Sequence, residues 1–353
     1  MEDAVWPEEY EHVRLLEEAA VRAGFSILST GMIHDIPHLI VIPPKDQKEA
    51  FLKLMDYLRP YGLMPILRKA REGLVLRAVY FSPPRARSAI IPIVLLLATL
   101  GSLFASGWMM SGGEISRALM YVGAMMAVLA THELGHWIAA RLHGVVVTLP
   151  YFIPAPFTLF GTFGAFIQQK TPAPNRDALF DIGIAGPLAG FVAAIAITMI
   201  GLPLSVKIIG PIRGIWLPTP LAYGLLIRLV WGPLRPGTSI LLHPVAFAGW
   251  TGMLVTMLNL IPAGSLDGGH IARCVLKGDK HRAIGVAASL AILALSLTFY
   301  GGWYAAMAVL ALFMALFYKH PGPLDDVSGL SPSRKVMLAV PAVIFLICIL
   351  PSF

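Results

Sequence analysis

Two histidines and a glutamate lie close together in the segment "LATHELGHWIAARLHG", inside a long apolar run. His132 and His136 are four residues apart, so on a helix both imidazoles project from one face and can share one metal ion. Zinc accepts imidazole ligands and leaves a position open for water. Glu133 is then placed to take a proton from that water and pass it to a leaving amine. The pattern predicts a hydrolytic centre with one Zn²⁺ per chain.

A third ligand must come from elsewhere, because two imidazoles do not complete a catalytic zinc site. No glutamate follows Glu133, and Ala139 and Leu142 do not continue the pattern H-E-x-x-H-x-x-G-x-x-H. His143 lies two turns beyond His136, where we expect it at the membrane edge. The other carboxylates have ordinary expected roles, at a helix start or solvated in polar loops: Asp177, Asp181, Asp279, Asp325 and Asp326.

Asp267 differs from these because it directly follows an apolar run, in "MLNLIPAGSLDGGH". Pro262 and Gly264 interrupt the helix there, and the pair 268–269 lets the backbone approach another element closely. A carboxylate on such a broken span can turn inward to meet the two histidines. We predict Asp267 as the third ligand, with His270 as the weaker candidate.

The composition of the chain indicates that these candidate site residues lie in a membrane protein. Of the 353 residues, 57% are hydrophobic and 13% charged, against about 25% charged in soluble domains. The net charge of +7 comes from basic residues beside apolar runs, which indicates membrane topology rather than nucleic-acid binding. The chain is therefore predicted to be an integral, multi-pass membrane protein in contact with lipid, with no nucleic-acid partner.

Apolar runs of membrane-spanning length predict an all-α polytopic fold with about six to seven transmembrane helices. Residues 1–80 are predicted to form a small soluble α+β domain, with a hairpin that turns at Glu72-Gly73. The transmembrane domain is predicted over 88–353, with a catalytic core at about 115–280. The predicted spans are 88–108, 117–142, 179–203, 242–262, 283–300, 302–318 and 336–352.

The distribution of basic residues predicts the orientation of the spans. Four basic groups fall on one side of the membrane if the N-terminus is cytoplasmic. Four further basic residues fall on the other side: Lys207, Arg213, Arg228 and Arg235. We expect a prokaryotic plasma membrane, with the N-terminal domain in the cytoplasm.

Two motifs together resemble the site-2 protease family of intramembrane zinc metalloproteases. "HELGH" at 132–136 and "NLIPAGSLDGG" at 259–269 look like the two signature motifs of that family, each in its own span. The resemblance implies zinc on His132, His136 and Asp267, with Glu133 as the catalytic acid/base. It also implies that the Asn259 amide lies near the scissile carbonyl, where it can donate a hydrogen bond to the developing oxyanion, or else links helices.

Two further stretches fit this resemblance. "FGTFGAFIQ" at 160–168 lies where family members have a membrane-associated β-hairpin, whose edge can pair with an unwound substrate. This implies a substrate-binding role for Gly161, Thr162, Phe163 and Gly164, against the alternative of a merely structural loop. "AGPLAG" at 185–190 resembles the small-residue motif of the third span, although many members have asparagine at the position of Gly190. The 143–178 connection is too short for a PDZ-like insert, as in the simpler archaeal, bacterial or plastid members.

The resemblance implies an endopeptidase that cleaves a transmembrane segment of a single-span membrane protein. The alternatives are a metal-dependent membrane transporter and an inactive scaffold of the same family. Association into a homo-oligomer remains open.

Overall fold

The computed structural model describes residues 8–33, 36–81, 89–210 and 214–352. The described chain divides into two compact units. The first contains residues 1–87, 171–179 and 321–330, and the second contains the rest. The boundary between the predicted soluble and transmembrane domains, at 82–88, lies outside the described residues.

The first unit is an α+β module with a four-stranded antiparallel sheet of β1 (Ser26–Ile33), β2 (Ile36–Ile42), β3 (Leu63–Lys69) and β4 (Leu74–Tyr80), in the order β1-β2-β4-β3. Strands β2 and β3 bury every second residue, as a sheet with one covered face requires. The β3–β4 hairpin turns at 70–73, as predicted, while the strand β1 was missed by the sequence prediction. The helical elements of this unit are α1 (Glu8–Arg22), α2 (Gln47–Leu58) and a 3₁₀ turn (Arg59–Tyr61).

Two later segments complete the first unit. Leu324 joins its hydrophobic core and accepts a backbone hydrogen bond from Leu67. Asp325 is fully buried and accepts hydrogen bonds from Gln47 and from backbone N–H groups. The prediction that Asp325 and Asp326 are solvated is therefore wrong, because both carboxylates are buried and paired within this unit, Asp326 with Arg176.

The second unit is helical with two small two-stranded sheets. Its first sheet is a β-hairpin, as the resemblance implies, and the second strand of this hairpin lies within the stretch 160–168. The elements are α3 (Ile90–Met110), α4 (Ile115–Leu142), β5 (Tyr151–Ala155), β6 (Gly161–Phe166), α5 (Arg176–Leu204, whose first turn belongs to the first unit), β7 (Val206–Ile209), α6 (Leu221–Trp231), β8 (Thr238–Leu241), α7 (Pro244–Asn259), α8 (Asp267–Val275), α9 (Gly278–Phe299), α10 (Ala305–Phe317), α11 (Pro332–Met337) and α12 (Ala339–Ile349).

Five helices within the described part of the chain are long and apolar enough to cross a membrane: α3, α4, α5, α9 and the α11–α12 pair. Two predicted spans correspond to shorter helices, since α7 has 16 residues and α10 has 13. Helix α7 ends before Pro262, and α10 begins only after two glycines, Gly301 and Gly302, with positive φ. The chain is a mostly helical integral membrane protein, and the count of six to seven spans stays a prediction.

Candidate metal centre

Helix α4 presents His132, Glu133 and His136 inside the second unit. All three side chains are buried, between 4% and 6% exposed, although ionisable groups in an apolar helix are costly. The two imidazoles project from one face because they are four residues apart on a regular helix. Their Nε2 atoms lie 3.1 Å from each other.

A tight turn between α7 and α8 brings Asp267 to the same place. Helix α7 ends at Asn259, and Asp267 is the first residue of α8. A Cβ on Gly268 would lie 2.1 Å from the carbonyl oxygen of Leu260, and one on Gly269 would lie 2.4 Å from that of Gly264. Only glycine fits this close packing, so the sequence "DGG" has a steric reason.

Three ligand atoms converge as a metal ion requires. Asp267 Oδ2 lies 3.3 Å from His132 Nε2 and 3.2 Å from His136 Nε2. With bonds of about 2.0–2.2 Å to nitrogen and oxygen, tetrahedral zinc ligands stand roughly 3.3 Å apart. Among the described residues, this is the group of His, Cys, Asp and Glu side chains with metal-site spacing. The three residues therefore fit one Zn²⁺ ion.

Hydrogen bonds prepare one histidine for this role. His136 Nδ1 lies 2.7 Å from the carbonyl oxygen of Ile182, so Nδ1 carries the proton and donates it. The lone pair of Nε2 then faces Asp267 and His132, as it does in metal-ligating histidines. Glu133 Oε2 and His132 Nδ1 are buried without a hydrogen-bond partner in the described structure. An unpaired buried carboxylate oxygen beside a ligand set is typical of a reacting group.

The small-residue motif of α5 makes room for the two imidazoles. A Cβ on Gly186 would lie 2.0 Å from His136 Nε2, and one on Gly190 would lie 2.9 Å from His132 Nδ1. The close packing expected of these glycines is therefore against the histidine rings themselves. The sequence motif indicated small residues but not what they contact.

Substitution of Gly186 by alanine is expected to displace the His136 ring, because the new methyl group overlaps it. We expect zinc affinity to fall at least about tenfold, as when a partner of a ligand is lost. Titration of the purified chain with zinc measures this affinity. Gly123→Ala is the matched control, since Gly123 is also helical and a Cβ there would meet no atom within 4 Å. Equal affinities for the two variants would contradict the steric role of Gly186.

Asn259 and the β-hairpin lie beside the ligand set. The amide Nδ2 of Asn259 is 3.3 Å from His132 Nε2, so this side chain borders the triad. The backbone N–H of Ile167, just after β6, lies near the Glu133 carboxylate. The end of the hairpin strand therefore meets the predicted acid/base.

The four predicted substrate-binding residues of the hairpin differ in what they contact. Gly161 is packed against α3, since a Cβ there would lie 2.9 Å from Leu103 Cα. The Thr162 hydroxyl is buried and donates to the carbonyl oxygen of Ile153. Phe163 is 72% exposed, whereas Gly164 is buried and its backbone N–H donates to the Thr162 hydroxyl. Of these four residues, only Phe163 is therefore exposed to a partner strand.

The other candidate ligands lie outside the triad. His270 Nδ1 faces His320 Nε2 at 2.6 Å, a pairing that no sequence pattern predicted. His143 caps the end of α4 and lies 2.8 Å from Asp181. Asp177 pairs with Lys48 in the first unit. Asp279 is exposed, as predicted, but it lies in the first turn of α9 rather than in a loop.

Comparison with known proteins places these motifs in a family. The profile described as "Peptidase family M50" matches residues 120–300, a stretch that contains both motifs and all three candidate ligands. No solved structure matches the chain.

Several curated relatives match over much of the chain. "Probable zinc metalloprotease EGY1, chloroplastic" from Oryza sativa subsp. japonica is 31% identical over 244 residues, 67% of this chain and 41% of the relative. The protein of the same name from Arabidopsis thaliana is 31% identical, over 67% of this chain and 43% of the relative. "Probable zinc metalloprotease EGY2, chloroplastic" from Arabidopsis thaliana is 37% identical, over 49% of this chain and 31% of the relative.

The chain thus spans less than half the length of these relatives. The family profile nevertheless covers slightly more than half of the chain, and it covers the segment in which the two motifs meet. The chain belongs to peptidase family M50.

Proposed function

We propose that the chain is a zinc endopeptidase that hydrolyses a peptide bond within or near the transmembrane segment of a single-span membrane protein. The observation that carries the proposal is the convergence of His132, His136 and Asp267 at 3.1–3.3 Å, with the buried Glu133 carboxylate beside them. Membership of peptidase family M50 and the names of the relatives support the same activity.

The roles of the side chains follow from their chemistry. Bound zinc supplies a Lewis acid that polarises a carbonyl and makes water acidic enough to react near neutral pH. His132, His136 and Asp267 hold the ion. Glu133 accepts the proton of the attacking water and returns it to the leaving amine. The Asn259 amide, at the edge of the triad, donates a hydrogen bond where negative charge develops on the substrate oxygen.

The substrate is proposed to bind as an added strand beside β6. A transmembrane helix hides its peptide bonds, so it must unwind locally before cleavage. An unwound segment can pair with an exposed strand edge. Phe163 is the exposed residue of the four hairpin positions, and the backbone N–H of Ile167, just after β6, lies near Glu133. A segment paired there would run toward the acid/base.

The proposed location is limited to an integral membrane position. The N-terminal domain is proposed to face the cytoplasm, from the distribution of basic residues. The expectation of a prokaryotic plasma membrane gains no support from the relatives, whose names place them in chloroplasts.

Removal of the metal tests the proposed function directly. The purified chain, reconstituted in vesicles with single-span test substrates, is expected to release fragments detectable by mass spectrometry. A zinc chelator should stop cleavage because three protein ligands alone supply no Lewis acid, and added zinc should restore it. Metal flux without fragments would favour a transporter instead. Cleavage that continues after complete zinc removal would contradict the proposal.

A further inference from the structure

Three histidines surround the short helix that carries Asp267. They are His270 on α8 itself, His281 near the start of α9, and His320 after α10. His281 and His320 are buried, with 6% and 9% exposure. Buried imidazoles are retained where their ring nitrogens have hydrogen-bond partners. None of the three belongs to the ligand triad.

The contacts of these rings converge on α8. His270 Nδ1 and His320 Nε2 are 2.6 Å apart, and their rings meet edge to face at 4.7 Å. His281 Nε2 lies 3.0 Å from the carbonyl oxygen of Gly269, so it donates to that oxygen. The His281 and His320 rings also approach within 5.9 Å. Two successive residues of α8 are therefore tied to α9 and to the segment after α10.

The His270 and His320 rings are both expected to be neutral, so that a hydrogen bond can form between them. Burial lowers the pKa of His270 and of His320 below the usual range for histidine. Both rings are then neutral near pH 7, and one can donate its N–H to the other. Two charged rings at this distance would repel each other.

Helix α8 needs such anchors because of its length. It has nine residues, too few for a helix to hold its place without tertiary contacts. On one side it packs against α5, where a Cβ on Gly183 would lie 3.2 Å from His270 Cβ. His281 of α9 and His320 after α10 provide its other contacts. Asp267 lies one turn before His270, so a small rotation of α8 moves its carboxylate away from His132 and His136.

We propose that His320 and His281 are positioning residues, which hold α8 through the His270 ring and the Gly269 carbonyl so that Asp267 reaches the metal. This inference rests on the proposed zinc site, with the two histidines acting on it through α8. Loss of an outer partner of a metal ligand typically lowers metal affinity about 10–100-fold.

Cobalt binding to the purified full-length chain in detergent tests the proposal. Co²⁺ in place of Zn²⁺ absorbs visible light with a band shape that depends on ligand geometry. We expect His320→Phe, which keeps a ring but removes both nitrogens, to weaken Co²⁺ binding about tenfold and to change the band. His281→Phe should act in the same direction. His320→Gln, which keeps a hydrogen-bonding group, should restore most of the affinity and the wild-type band.

Control measurements separate positioning from stability and from the zinc site itself. His12→Phe makes the same exchange in the first unit and should leave the band unchanged. A merely structural role would lower the melting temperature of His320→Phe but leave the band of the folded fraction unchanged, and that result would overturn the proposal. Equal damage from His320→Gln and His320→Phe would also overturn it. A wild-type chain that binds neither Co²⁺ nor Zn²⁺ would instead refute the proposed zinc site.

Discussion

Replacement of Glu133 by glutamine is expected to abolish peptide cleavage while zinc remains bound. The amide keeps the size of the carboxylate but cannot accept a proton from the attacking water. General acid–base catalysis contributes roughly 10²–10⁴-fold to the rate, so the rate of fragment formation should fall by about that factor. Glu133 is not among the three converging ligands, so the zinc content should not change. Metal analysis and a cleavage assay on the same preparation measure both quantities.

A second glutamate on the same stretch of chain provides the matched control. Glu114 precedes the first residue of α4 and pairs with Arg117 at a half-exposed position. Glu114→Gln makes the same chemical change at the far end of the helix and should leave the cleavage rate within about twofold, as a surface pair contributes little. Undiminished cleavage by Glu133→Gln would remove Glu133 from the mechanism. Loss of zinc from that variant would assign it a ligand role.

The candidate site was predictable where local geometry determines the contact. The spacing of His132 and His136 is a property of any regular helix, so their shared face follows from the sequence. Asp267 followed from the absence of later glutamates and from the helix-breaking residues before it. The structure brings this carboxylate within 3.3 Å of both imidazoles. Asp267 could be assigned to a site with histidines more than a hundred positions away because so few carboxylates remained as candidate ligands.

Contacts that depend on how helices pack were not predictable in the same way. Nothing in the sequence shows that Gly186 faces the His136 ring or that His320 reaches His270, because helix packing permits many pairings. The burial of Asp325 was missed for a related reason. A segment between two apolar helices looks like a solvated loop, yet this one adds to the sheet of the first unit.

The same limit applies to the fold. The long apolar helices α3, α4 and α5 were predicted within about three residues of their ends, because length and hydropathy define them. Strand β1 was missed, since "SILSTGMI" mixes small and polar residues and is largely exposed. Helix α7 is shorter than the predicted span because its chain breaks before Pro262 to form the turn that presents Asp267. The helix must end there for the site to form, and a hydropathy profile does not detect this helix end.

Replacement of Asp267 by alanine is expected to remove zinc from the purified chain. Only two imidazoles would then remain to bind the ion. Loss of a group that is hydrogen-bonded to a metal ligand typically lowers metal affinity about 10–100-fold. Loss of a ligand itself should lower the zinc affinity by more than about 100-fold. Asp267→Asn keeps the shape of the side chain but not its charge, and should behave similarly because an amide is a poorer zinc ligand than a carboxylate. Asp279→Ala, at an exposed position in the first turn of α9, is the matched control and should retain full zinc.

The result also decides between the two ligands that the sequence left open. His270 follows Asp267 by one turn, and its Nδ1 is engaged by His320. If Asp267→Ala kept its full zinc content, the third ligand would lie elsewhere, and loss of the metal from the double variant Asp267→Ala with His270→Ala would then identify His270 as that ligand. If Asp267→Ala alone loses zinc while His270→Gln keeps it bound, Asp267 is the ligand. The histidine then acts only on the helix that carries this carboxylate, and the 3.2–3.3 Å distances from Asp267 Oδ2 to the two imidazoles agree with Asp267 as the ligand.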